Sequence, residues 1–410
     1  MTPLDPERIR PRFPALTQEV SGRPVVFLDG PGGTQVPQEV IDAMTAYLRH
    51  DNANTDGAFA TSHRTDHTIR CAREAAADLL GCDADEVVFG PNMTTLTFSL
   101  ARSLGREMTS GDEVVVTRLD HDANVAPWRA LEERGVRVHE VDIHEKDCTL
   151  DMDDLERKIG PRTRLVAVTH ASNAVGTIPD VRAVIRAARG HGSLVFVDAV
   201  HYAPHGPLDV RGLDCDFLAC SPYKFFGPHL GLLYGKREHL ERLRPYKVRP
   251  SHDEAPGRWE TGTQSHEALA GLVAAVDYLA DLGRGGTGRR ADLLTAMDRI
   301  RRHERRLVER LITGLLRIPG LRFYGIREPK RFDQRTPTVS IRLDGLPPRE
   351  ISRRLGEAGI FTWDGNYYAL SLTERLGVEA SGGMVRLGLV HYNTAAEVDR
   401  TLEALGSLSL

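Results

Sequence analysis

Apolar residues in the first two-thirds of the chain come in short runs. EVVFG (86–90), EVVVT (113–117), VRVHEV (136–141), RLVAVTH (164–170), SLVFVD (193–198) and DFLAC (216–220) read as strands. Most of these runs show no polar alternation, so they predict strands covered on both faces, the mark of a mostly parallel sheet between helices. VVFLD (25–29) is a further strand running into a Gly-rich turn. VPQEVIDAMTAYLRH (36–50) repeats its apolar positions at helical spacing. HTIRCAREAAADLLG (67–81) is an Ala-rich helix with a glycine stop. Strands alternating with helices predict a doubly wound α/β domain.

The pattern changes at GRGGTGRR (283–290), a candidate hinge. Beyond it, 291–320 predicts one long helix, TVSIRLDG (338–345) and MVRLGLVHY (384–392) read as strands, and EISRRLGEAG (350–359) and TAAEVDRTLEALGSL (394–408) as helices. Long helices with few strands fit a smaller α+β C-terminal domain. The 410 residues exceed one compact core. The expected organisation is an arm over 1–23, carrying four prolines and packing on the small domain, then a large domain over 24–285 and a small one over 286–410.

Composition narrows the function classes. A formal charge of −4 argues against nucleic acid or another polyanion as partner. Arg301, Arg302, Arg305 and Arg306 alternate with apolar positions and read as a solvated helix face. No apolar run reaches membrane-spanning length, and MTPLDPERIR lacks a signal core, so no membrane partner and a cytoplasmic location are expected. The five cysteines are scattered without metal-ligand spacing, so neither disulfides nor a metal site is expected.

The candidate chemistry lies at strand ends. Lys224, in SPYKFFG, follows an apolar strand where solvation is poor. Desolvation leaves more neutral amine, able to attack an aldehyde. Asp198 ends another apolar strand. A strand-end lysine and aspartate are what a pyridoxal phosphate enzyme needs: one group links to the cofactor, the other keeps its pyridine nitrogen protonated. Thr94 and Thr95 begin a helix, where N–H groups and hydroxyls suit a phosphate or simply cap the helix. His121 follows a strand and reads as a ring-stacking or proton-shuttling group, or as loop packing. Asn173 reads as a ring-oxygen ligand or a turn residue, and His201 lies three residues beyond Asp198.

With these motifs in order, the chain resembles the class V aminotransferase family, in its cysteine desulfurase/selenocysteine lyase branch. The landmarks run from LDGPGGTQVP (28–37) to MVRLGLVHYNTAAEVDR (384–400). The resemblance implies a fold type I pyridoxal-phosphate-dependent transferase fold and a homodimer. It implies that Thr94, Thr95, Ser221 and Tyr223 hold the phosphate, Tyr223 replacing the usual His. It further implies His121 over the cofactor ring, Asn173 and His201 at its oxygen, Asp198 at its nitrogen and Lys224 as the Schiff-base lysine. His201 stands where the branch usually has Gln. Thr263, in RWETGTQS (258–265), is implied to cross to the partner's phosphate, and Arg386 to bind the substrate carboxylate, with Asn173 also facing substrate.

One feature of the branch is missing. FTWDGNYYALSLTERLG (361–377) stands where desulfurases carry a nucleophilic cysteine, Tyr368 takes that position, and no cysteine follows Cys220. Trp363, Tyr367 and Tyr368 read either as a pocket for a larger side chain or as packing. The expected reaction is β-elimination from a cysteine-derived amino acid without a loop persulfide. Aminotransfer and epimerisation are the enzymatic alternatives, and a non-catalytic scaffold on the same fold is the alternative of another class.

Overall fold

The computed structural model describes residues 3–408; positions 1–2 of the arm and 409–410 of the C-terminal domain lie outside the described residues. The central sheet contains β1 (Val87–Gly90), β2 (Glu113–Thr117), β3 (Arg137–Val141), β4 (Thr163–Thr169), β5 (Leu194–Asp198), β6 (Phe217–Cys220) and β7 (Gly231–Gly235). Its spatial order is β1-β7-β6-β5-β4-β2-β3. Only β7 runs against its neighbours. The unbroken runs follow from burial on both faces. Along β2, Val115 packs into one apolar cluster while Val114 and Val116 pack into another on the opposite face. Each such side chain contributes about 1.5–3 kcal/mol when fully buried.

GLLYG (231–235) was not anticipated as a strand. Its flanking glycines obscure the run, and they are required by close approach: a side chain on Gly231 would collide with the Asn92 backbone.

Helices cover the sheet. Gln38–His50 (α1), Ala60–Leu80 (α2), Met93–Leu104 (α3) and His266–Asp281 (α4) belong to the large domain. Helix α2 starts seven residues before the predicted stretch because Ser62 and Thr65, polar in sequence, are buried and hydrogen-bonded to Asn54 O and Ala53 O. The hinge segment precedes α5 (Arg289–Leu315), which joins both cores. Leu293, Met297 and Ile300 pack in the large-domain cluster, and Leu307 to Leu315 in the small-domain one.

The small domain holds β8 (Leu321–Tyr324), β9 (Thr338–Leu343), β10 (Trp363–Gly365) and β11 (Met384–Gly388), ordered β8-β9-β11-β10, with helices α6 (Pro348–Glu357) and α7 (Ala395–Leu408). Contacts cross the expected boundaries in two places. Val26–Phe27, expected at the start of the large domain, pairs with Ile360–Phe361, and Val26 and Leu28 pack in the small-domain core. The arm packs on both domains. Arg10 binds Glu397 at 2.8 Å, Arg12 binds Glu39 at 2.6 Å and Asp281 at 2.8 Å, and Phe13 is buried against Phe226 and Tyr278. Among the described residues no helix is long and apolar enough to cross a membrane, and no cluster of three potential metal ligands occurs.

Candidate active site

Open α/β sheets place ligands at the C-terminal ends of their parallel strands. His121 follows β2, Asn173 follows β4, Asp198 ends β5, Ser221, Tyr223 and Lys224 follow β6, and Thr94 opens α3. These residues line one cavity of about 680 Å³, together with His201, Tyr368 and Arg386. None of the five cysteines lines it.

Lys224 is half-buried at the surface of the cavity, and its Nζ donates to Pro31 O. Burial, reinforced by the charge of Arg386, pushes its pKa down to about 7. Asp198 is buried, and Oδ1 accepts from Val200 N at 2.9 Å. Among the described residues it forms no ion pair, and burial pushes its pKa up to about 6. A carboxyl so placed gains from a cationic ligand, which would restore its charge.

His121 Nδ1 accepts from Ala123 N at 3.0 Å, so the neutral ring carries its hydrogen on Nε2. Burial, then the charges of Lys224 and Arg386, push its pKa down to about 4. Tyr368 stacks on it with centroids 5.4 Å apart and planes 18° apart.

Arg386, buried on β11, has no carboxylate partner among the described residues. Nη1 donates to Asn173 O at 3.0 Å, the guanidinium lies 4.3 Å over the Tyr367 ring, and Nε is buried without a partner. Asn173 Nδ2 donates to Tyr367 O at 2.9 Å, while Oδ1 is likewise unpartnered. A buried unpaired guanidinium is costly, and a substrate carboxylate relieves that cost with a two-bond fork. The unpartnered Arg386 Nε and Asn173 Oδ1, the unpaired Asp198 and the near-neutral Lys224 amine together fit pyridoxal phosphate with an amino acid.

On the phosphate side, Thr94 and Ser221 line the cavity, and Ser221 Oγ accepts from Met93 N at 3.3 Å. Tyr223 stacks on His229 at 5.0 Å. Thr95, expected beside Thr94, does not line the cavity: it is exposed, and its N–H donates to the Asn92 cap at 2.8 Å. Thr263 is also absent from this wall and lines a separate hollow with Arg70, Arg73 and Val248. His201 lines the cavity with Nε2 3.2 Å from Thr336 Oγ1.

One residue gains a role the sequence did not assign it, and another escaped the sequence-based site. Tyr367 supports both Arg386 and Asn173. Asp29 is pushed up to about 6 by burial, its charge facing Arg386 and Lys224, and its Oδ1 is unpartnered. Its signal was available, since LDG ends a short strand in a carboxylate as LVFVD does.

A family model described as aminotransferase class-V matches residues 26–401. A cysteine desulfurase of Pectobacterium atrosepticum is 32% identical over 416 residues, covering 97% of each chain. A probable cysteine desulfurase of Halalkalibacterium halodurans is 31% identical over 425 residues, covering 98% of this chain and 97% of its own. Among solved structures, the apo cysteine desulfurase of Thermococcus onnurineus NA1 superimposes with a TM-score of 0.89 at 29% identity, covering 100% of this chain and 98% of that one. An S-sulfonic acid form of an Escherichia coli cysteine desulfurase gives 0.83 at 28% identity, covering 98% and 97%.

Proposed function

The chain belongs to the class V aminotransferase family, and on that premise we propose that it catalyses β-elimination from a cysteine-derived amino acid without a protein persulfide. It is a pyridoxal-phosphate-dependent, cysteine desulfurase-like enzyme of fold type I. The observation that carries the proposal is a cavity holding the amine, the carboxylates and the guanidinium but no thiol. Burial pushes the Cys148 and Cys215 thiols up to about 12 and raises Cys82 and Cys220 as well, so none of these four supplies a thiolate at neutral pH.

Bound pyridoxal phosphate supplies an aldehyde carbon and an electron-withdrawing ring. Lys224 would anchor it, and Asp198 would keep the ring nitrogen protonated. Arg386 and Asn173 take the substrate carboxylate and fix the direction of the Cα–H bond. Lys224 Nζ, near-neutral at its position beside the cavity, would accept the Cα proton of a bound substrate. The C–S bond breaks, its electron pair leaving with sulfur as a thiolate or sulfenate. The products expected are pyruvate, ammonia and the sulfur-bearing leaving group, with one water consumed.

The active unit is a homodimer in which Thr263 reaches the partner's phosphate site. Val248, 59% exposed in the same hollow, offers apolar surface for a partner to cover. The testing experiment incubates holoenzyme with S-alkyl cysteines, their sulfoxides and L-cysteine. Equimolar pyruvate and ammonia, with no persulfide on any cysteine by mass spectrometry, is expected. A keto acid formed once per subunit with pyridoxamine phosphate accumulating would mean aminotransfer, and an obligate persulfide would mean desulfuration.

A further inference from the structure

Behind the cavity lie buried groups that the chemistry above does not use. His205 Nδ1 is 2.9 Å from Glu304 Oε2, with the two side chains 3% and 2% exposed. Glu304 sits on α5, and its other oxygen, Oε1, is buried without a partner. Burial raises the Glu304 pKa, and His205 is its only ion-pair partner among the described residues. A buried carboxyl facing a single imidazole is least costly when the two share one proton.

The His205 ring meets the His201 ring edge-on, with centroids 5.2 Å apart and planes 67° apart. His201 in turn lines the cavity, and its Nε2 is bonded to Thr336 Oγ1. Thr336 Oγ1 lies 3.4 Å from Gly176 O. A hydroxyl that donates its hydrogen to a carbonyl must accept from the imidazole. With that hydroxyl hydrogen on Gly176 O, the His201 hydrogen sits on Nε2, and Nδ1 is left as an acceptor on a ring that lines the cavity. Burial, with the charges of His205, Arg386 and Lys224, keeps this ring neutral.

We propose that His205 and Glu304 are positioning residues for His201, holding it so that Nδ1 accepts a hydrogen bond from the ring hydroxyl of bound pyridoxal phosphate. An acceptor at this place favours the protonated ring oxygen, and a donor favours the ionised one. The two protonation states absorb at different wavelengths, so the bound cofactor itself reports the arrangement. The inference holds whichever reaction the enzyme performs.

The test compares absorption spectra of holoenzymes. His201→Gln, which places an amide donor at the ring, is expected to raise the long-wavelength band relative to the short one by about threefold or more. Glu304→Gln should move the ratio in the same direction by about twofold, and the double variant should move it no further than His201→Gln alone. His303→Gln is the control: it lies on the same helix, bonds Asn393 O, and should leave the ratio unchanged. If Glu304→Gln does not fold, Thr336→Val is read in its place and should also raise the ratio. A purely structural role for Glu304 would lower thermal stability and leave the ratio alone. An unchanged ratio in folded His201→Gln, or additive shifts in the double variant, overturns the proposal.

Discussion

The two walls of the cavity are built on opposite principles. The large-domain wall consists of strand ends whose Asp198 and Ser221 are buried in a two-sided core. The small-domain wall is a strap, residues 363–368, in which Tyr367 and Tyr368 adopt left-handed φ values of 54° and 59°. Trp363 and Tyr368 there are 52% and 72% exposed. Hydrogen bonds tie the strap across the cavity: Asp122 N donates to Tyr368 O at 2.7 Å, and Asn173 to Tyr367 O. Just beyond it, Ser371 binds Glu140, and Arg375 binds Asp142 at 2.7 Å. A rigid wall suits a cofactor that must be held one way. A tied strap of irregular backbone is where a different substrate can be accommodated without disturbing the sheet. Substitutions in the first wall should therefore abolish chemistry, and those in the second should redirect it.

The largest effect is expected at Lys224. Lys224→Ala should cut turnover by about 10⁴-fold or more while the protein stays folded, since anchor and base are lost together. Peptide mapping after borohydride reduction should label this lysine in the wild type, and a label elsewhere would refute the assignment. Asp198→Asn should leave the cofactor bound and reduce kcat by about 10²-fold or more, because an uncharged pyridine is a weak electron sink. A loss within tenfold, about 1.4 kcal/mol, would count against the role.

The pH dependence of Lys224 gives a third test. With its pKa lowered to about 7, the amine is an ammonium below that pH and a free nucleophile above it. Covalent capture of pyridoxal phosphate by the apo protein should accelerate as pH rises through about 7, then level off. A rate still climbing towards the ordinary lysine value near 10.4 would show that burial does not lower it.

Much of the first wall was legible because burial on both sheet faces leaves unbroken apolar runs, and a charged residue closing such a run is conspicuous. Asp198 and Lys224 stand out this way. The sequence does not separate Thr94 from Thr95, because a helix start looks alike whether its second threonine faces a ligand or solvent; here Thr95 is exposed and its backbone N–H is taken by the Asn92 cap. The second wall was only partly legible: Arg386 and the aromatic run Trp363, Tyr367 and Tyr368 stand out in the sequence, but the contacts that hold them do not. Its contacts join positions far apart in sequence: Tyr367 meets Asn173 across 194 residues, and Thr336 meets His201 across 135. No local pattern encodes such pairs. The expected boundary at 285/286 is bridged for a like reason, because α5 is one uninterrupted helix whose two ends serve different cores.

The smallest effects are expected within the strap, where two adjacent tyrosines share a backbone conformation but differ in burial. Each carries left-handed φ strain, which glycine would relieve by about 1 kcal/mol. At Tyr368 that relief is set against the stack on His121, worth about 0.5–1.5 kcal/mol, and glycine's extra unfolded-state entropy of about 0.5–1 kcal/mol. The sum is near zero to slightly unfavourable, so Tyr368→Gly should lower Tm by only a few degrees. At Tyr367 the hydroxyl donates to Met384 O and the ring lies under Arg386. Deleting that half-buried ring should cost more, approaching the roughly 3–5 kcal/mol of a fully buried aromatic. The kinetic consequences should differ too. Tyr368→Gly should change KM by a few-fold and differently for small and bulky S-substituents, whereas Tyr367→Gly should raise KM for every substrate by loosening Arg386. Equal loss of stability in the two variants, measured by thermal unfolding, would mean that the strap is packed uniformly and that Tyr368 is not a free edge of the substrate pocket.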